Sequence, residues 1–178
     1  MKRRQVLARA SVVALTAPAL TACSGSLTGF GSWADAQKAV LELLFQPRVV
    51  QGNTWNLSQV LQHLAQSIEF SMKGFPELKG AVFRATLGNA AFAVFNARGA
   101  MSHSLDEPIP GAPALAADQT LKTSVQRLLD AMDAFAAWSG PLQPHFAYGE
   151  LSKAQYQRAH LMHLSNHWQQ IQPVSATA

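Results

Sequence analysis

The sequence predicts an all-α fold, a bundle of four main helices led by a shorter one. Three observations predict it. Apolar residues recur every three or four positions over long stretches. Ser or Asn followed three residues later by Asp or Gln marks helix starts, and Gly or Pro marks helix ends. No stretch alternates convincingly between apolar and polar residues, as a half-buried strand would.

Ser32 with Asp35 opens the leading helix, which runs through Val40 and Leu44 to a stop at Pro47. Asn56 with Gln59 caps the second. Its Val60, Leu61, Leu64, Ile68 and Met72 keep helical spacing up to Gly74 and Pro76, and His63 lies on the side of Val60 and Leu64. The third stretch, Gly80 to Arg98, carries Val82, Phe83, Leu87, Phe92, Val94 and Phe95, with Gly88 as a break point. Residues 99–117 hold Gly99, Pro108, Pro110, Gly111 and Pro113 and predict a long loop, of a kind often functional inside a compact domain. Asp118 opens a helix through Leu121, Val125, Leu128, Leu129, Met132 and Phe135, stopped by Gly140-Pro141. After a connection from Pro144 to Gly149, Ser152 with Gln155 caps the last helix, which ends before Pro173.

The start of the chain reads as an export signal. Lys2, Arg3, Arg4 and Arg9 form a basic region, and Ser11 to Leu20 an apolar one too short to span a bilayer. Leu20-Thr21-Ala22-Cys23 resembles the lipobox of bacterial lipoproteins, whose cysteine becomes the lipidated first residue. Arg3-Arg4 followed by Gln5-Val6-Leu7 partly resembles a twin-arginine export motif. The expected organisation is a signal peptide over 1–22, a flexible tether over 23–31 rich in Ser and Gly, a helical domain over 32–173 and a tail over 174–178. Cys23 is the only cysteine, so lipidation leaves none for a disulfide. The formal net charge is +4, and the signal alone holds four of the basic residues. The mature chain is then neutral, and the precursor pI of about 9.6 implies no nucleic-acid partner.

The chemistry is concentrated near the C-terminus. In Tyr156-Gln157-Arg158-Ala159-His160-Leu161-Met162-His163-Leu164-Ser165-Asn166-His167-Trp168, three of the six histidines share one helical face. Imidazole is the commonest ligand for borderline transition metals, and a pair at i, i+4 can hold one ion between adjacent turns. One further histidine from a facing helix would make a three-ligand site with an open position. His63 is placed to do so. By spacing alone the alternative is a hydrogen-bonded polar seam, and both readings stand.

A family resemblance bears on the choice. Trp55-Asn56-Leu57-Ser58-Gln59-Val60-Leu61-Gln62-His63-Leu64-Ala65 resembles the second-helix motif of the DinB/YfiT-like superfamily, where a Trp-containing turn precedes the first metal-binding histidine. His163-Leu164-Ser165-Asn166-His167-Trp168-Gln169-Gln170-Ile171 resembles its last-helix motif, two histidines four apart. His145-Phe146-Ala147-Tyr148-Gly149-Glu150-Leu151-Ser152 is similar to a loop of an allied bacterial family of unknown function, with Phe146 where that family has Pro. The resemblance covers about residues 33–172. It implies an up-down four-helix bundle with a divalent metal, zinc or nickel, on His63, His163 and His167. His160 falls outside that triad and is a candidate to hold a ligand or a bound water by a hydrogen bond. His145 and Tyr148 are candidates to reach the open face from their loop, with packing and capping as equal accounts. Trp168-Gln169-Gln170 stands where many relatives have Arg-Gly-Gln, and His103 has no assigned role.

The resemblance implies a metal-dependent thiol transferase or hydrolase, in which the ion activates a thiol or a water and His160 or His145 moves protons. The alternative is a non-catalytic metal-binding or structural lipoprotein. No carboxylate is evident near the metal face, which counts against hydrolysis. The expected partners are a membrane surface on the periplasmic side, reached through the lipid on Cys23, a small-molecule thiol or electrophile, and a second copy of the chain as a homodimer.

Overall fold

The computed structural model describes residues 24–174. Residues 1–23, read above as an export signal and its lipidated cysteine, and residues 175–178 lie outside the described residues. The fold is mostly helical, in the order α1 Trp33–Glu42, β1 Arg48–Val50, α2 Leu57–Lys73, α3 Ala81–Phe83, α4 Asn89–Arg98, α5 Leu121–Ala137, α6 Lys153–Trp168 and β2 Ile171–Pro173. A π-helical turn, Arg84–Gly88, joins α3 to α4, so these run as one helical stretch. Gly88 does not break the stretch, as the sequence suggested, but closes that turn. Its missing side chain admits the Ala147 carbonyl, which a Cβ there would meet at 1.8 Å.

Helix α2 is the centre of the molecule. Its capping box forms in both directions, with Asn56 accepting from the Gln59 N–H and Gln59 reaching back to the Asn56 N–H. Buried residues ring it on all sides: Val60, Leu61, Leu64 and Ile68, but also Ser58, Gln62, His63 and Gln66. Such a helix needs cover on every face. Most comes from α5, whose Val125, Leu128, Met132 and Phe135 are fully or nearly fully buried. The Ser58 and Ser124 hydroxyls meet at 2.7 Å in that contact, and Arg127 grips Glu69 with two hydrogen bonds of 2.9 Å at its edge. Helix α6 covers a second side, and α1 lies across α5 and α6.

The long loop covers a third. Asn56, Gln59, Gln62 and Gln66 stand on one stripe of α2 and hydrogen-bond the carbonyls of Ala117, Leu115, Ala116 and Pro113. Gln62 also accepts from the Ala116 N–H at 3.0 Å. This amide stripe fixes a segment without regular structure. It also displaces the start of α5, which begins at Leu121 behind a Thr120 cap and not at Asp118.

The two short strands correct the expectation of none. They pair antiparallel, Arg48 opposite Pro173 and Val50 opposite Ile171. Three residues each are too few for an alternation to register, and the partners come from opposite ends of the domain. The pairing ties the chain entering α2 to the chain leaving α6. It thereby holds the first turns of α2 beside the last turns of α6.

Candidate metal centre

His63 sits in the second turn of α2, and His163 and His167 in the last turns of α6. The strand pair brings these turns together. His63 Nε2 lies 3.2 Å from His163 Nε2, and His167 Nε2 lies 3.1 Å from the same atom. All three ligand atoms fall within 4.8 Å of one another, and the cluster can hold a metal ion. Four-coordinate zinc with bonds of about 2.0–2.1 Å spaces its ligands about 3.3 Å apart, close to the two separations at His163 Nε2.

The chemistry of the donors fits as well. Burial holds His63 down to about 3 and His167 to about 2, and leaves His163 well below the ordinary imidazole value, with the neighbouring histidines adding to each. All three are neutral at pH 7, the form that ligates. A neutral ring nitrogen offers one proton or one lone pair, so His163 Nε2 completes only one of its two contacts well. A cation would take all three lone pairs at once.

The surrounding groups set the ring orientations. Trp55 packs on His63 with centroids 5.0 Å apart. The Gln170 amide lies 3.2 Å from His167 Nδ1, and Asn53 donates to Gln170 Oε1 at 2.9 Å. Gln170 therefore turns its N–H groups toward Nδ1. Ligation through Nε2 puts the proton on Nδ1 and asks Gln170 for its oxygen, a half-turn of the amide. Gln170 belongs to the last-helix motif but had no assigned role, and Asn53 did not stand out in the sequence. The signal was the position of Gln170 three residues after His167, just where the strand begins.

The remaining histidines divide. His160 touches none of the three by hydrogen bond. Its Nε2 meets the Ser71 hydroxyl at 3.3 Å, and its ring stacks on Tyr156 and meets Phe135 edge-on. Ser71 gives its own proton to the Ile68 carbonyl at 2.7 Å, so His160 is the donor to Ser71. His145 closes its own loop: Nδ1 accepts from the Ala147 and Tyr148 N–H groups at 3.1 and 3.2 Å, and the ring stacks flat on Tyr148 at 4.2 Å. With Nδ1 occupied, its proton is on Nε2. Burial lowers both His145 and His160 to about 3 and raises the Tyr148 phenol to about 12.

His103, unassigned from the sequence, joins the cluster. The long loop sets its ring 4.9 Å from that of His163 and 5.5 Å from that of His167. Its Nδ1 meets the Ser104 carbonyl at 2.6 Å, which fixes the proton there and leaves Nε2 as an acceptor. A cavity of about 280 Å³ opens beside the cluster, lined by His63, His163, His103, His145 and Glu107 among others. Glu107 lines the same cavity, a carboxylate that the sequence reading had not placed there. Loop residues with no periodicity give no sequence signal for where they fold back.

A mostly helical fold around a buried cluster of three histidines defines the class of protein. The chain belongs to a family described as proteins of unknown function, DUF1569, which matches residues 23–174. No curated protein and no solved structure matches it.

Proposed function

We propose that this protein is an exported, lipid-anchored metalloprotein with a DinB/YfiT-like up-down four-helix bundle. His63, His163 and His167 hold a divalent ion through Nε2, zinc or nickel by the all-imidazole donor set. The convergence of three buried neutral imidazoles within 4.8 Å, two of their separations at 3.1 and 3.2 Å, carries the metal reading. When bound, the ion would supply Lewis acidity at a fourth, open position and lower the pKa of a thiol or a water.

The chain's own residues do the rest. Trp55 orients His63, and the Gln170 amide orients His167. The apolar cavity wall, with Phe83, Met101, Ile109 and Phe146, limits water and suits a small, largely apolar electrophile. His145, with its proton on Nε2, lines the cavity and would donate to a leaving group. Glu107 and His103, whose proton is held on Nδ1, line the same cavity and would accept a proton from the attacking thiol or water. A base of this kind favours hydrolysis or thiol transfer over simple storage.

The test is the metal content of the purified chain, wild type against His63→Ala and His163→Ala, with circular dichroism to confirm that the variants fold. About one equivalent in the wild type and little in the variants is expected. A wild-type chain that retains no metal after incubation with Zn²⁺ or Ni²⁺ sinks the reading.

A further inference from the structure

The helical stretch from α3 to α4 turns an uncovered apolar face outward. Val82 is 79% exposed, Leu87 68% and Val94 53%, and Leu78 and Phe83 are exposed beside them. Within the π turn and α4 only Gly88, Phe92 and Asn96 are buried. Leu87, Ala90 and Val94 follow helical spacing on the side away from Phe92 and Asn96. No acidic residue stands between Glu77 and Asp106, whereas Lys79, Arg84 and Arg98 are basic. An apolar helix face with basic flanks and no acidic residue suits the headgroup region of an anionic bilayer.

An independent observation ties the first described residues to the same element. The Ser24 hydroxyl accepts from Asn96 Nδ2 at 3.2 Å, and the Gly25 N–H donates to the Asn96 carbonyl at 3.2 Å. Arg158 donates to the carbonyls of both Gly25 and Asn96, and the Thr28 N–H reaches Gly99 at 2.9 Å. Cys23 immediately precedes Ser24 in the sequence. A lipid on Cys23 would therefore be joined to the fold through a segment held on α4.

We propose that the outer face of α3 and α4 docks on an anionic phospholipid bilayer, with Val82, Leu87 and Val94 entering the interface. The proposal rests on the lipid-anchor reading of Cys23. Phe83, Gly88 and Ala91 of the same stretch line the histidine cavity, so docking sets one wall of that cavity at the membrane.

The test uses the full chain, purified from membranes in detergent and reconstituted into phosphatidylglycerol–phosphatidylethanolamine vesicles. Single substitutions Leu87→Cys, Val94→Cys and Phe45→Cys carry a polarity-sensitive fluorophore. Phe45 is 76% exposed and far from this stretch in sequence, and serves as the control. Labels at 87 and 94 are expected to shift to the blue and lose most of their emission to nitroxide-bearing lipids, and the label at 45 to do neither. Mass spectrometry of the Cys23 peptide reads the lipid. Lipid present with labels 87 and 94 still in water overturns the docking face alone. An unmodified Cys23 overturns it together with the anchor. A blue shift that tracks protein concentration and ignores vesicles assigns the face to a second copy of the chain, and overturns the proposal too.

Discussion

Nε2 of His63 lies 3.2 Å from Nε2 of His163, across 100 residues of sequence. Neither helix alone produces that approach. It depends on an end-to-end clasp, β1 against β2, and on a Gln170 that leaves α6 at the start of β2. The residues that close the fold are therefore also those that orient the ligands. Metal binding and folding are expected to be coupled.

Zn²⁺ or Ni²⁺ at a hundredfold excess over its dissociation constant stabilises the native state by about 2.7 kcal/mol. For a domain of this size that raises Tm by roughly 5–10 °C. His163→Ala removes the atom shared by both close contacts and abolishes the rise. Thermal unfolding with and without ion, followed by circular dichroism, checks it.

Gln170→Ala leaves all three ligands in place and deprives His167 Nδ1 of its only side-chain partner among the described residues. Losing such an orienting group typically costs about ten- to a hundredfold in metal affinity. Competition with a chromogenic chelator measures it. An unchanged affinity would show that the amide only closes the strand junction.

How far the sequence revealed this site depends on the range of the signal. The capping boxes at Asn56 and Ser152 formed as read, because each is complete within four residues. His63, His163 and His167 met as the motifs implied, because helical spacing fixes which face each presents. His103 and Glu107 gave no such signal, since a loop has no period to reveal its folded path. The amides of Gln62 and Gln66 looked like ordinary polar positions on an amphipathic helix. Their partners are carbonyls of the long loop, which no local pattern identifies. His160 shared the face of the ligands, yet the aromatic ring of Tyr156 one turn earlier took it into the core.

His145 and His160 make stability depend on pH. In the unfolded chain each titrates near 6.5, and burial lowers the folded value to about 3. Above pH 6.5 both states are neutral and neither residue contributes a pH dependence. Below it the unfolded state takes up protons that the folded state refuses, so stability falls down to about pH 3. Each imidazole costs about 2 kcal/mol between pH 6.5 and 5. Urea unfolding across that range, with a chelator present to keep the ligands metal-free, measures the slope. His160→Phe retains the stacked ring and lowers the slope by one proton.

Gln62→Ala tests whether the loop is held by the stripe on α2. The substitution removes a reciprocal pair with Ala116, a donor at 2.8 Å and an acceptor at 3.0 Å, from a buried position. The stranded backbone groups cost about 1–3 kcal/mol, read as a Tm lower by a few degrees. The loop also carries His103 to the mouth of the cavity, so loosening it is expected to speed transfer of bound ion to a chelator. His103→Ala alone speeds that transfer too, while the stoichiometry stays the same, because the three ligands are intact. Added to Gln62→Ala it contributes little more, since the loosened loop no longer holds the ring in place. Strictly additive rates in the double variant would break the connection between the stripe and the mouth of the site.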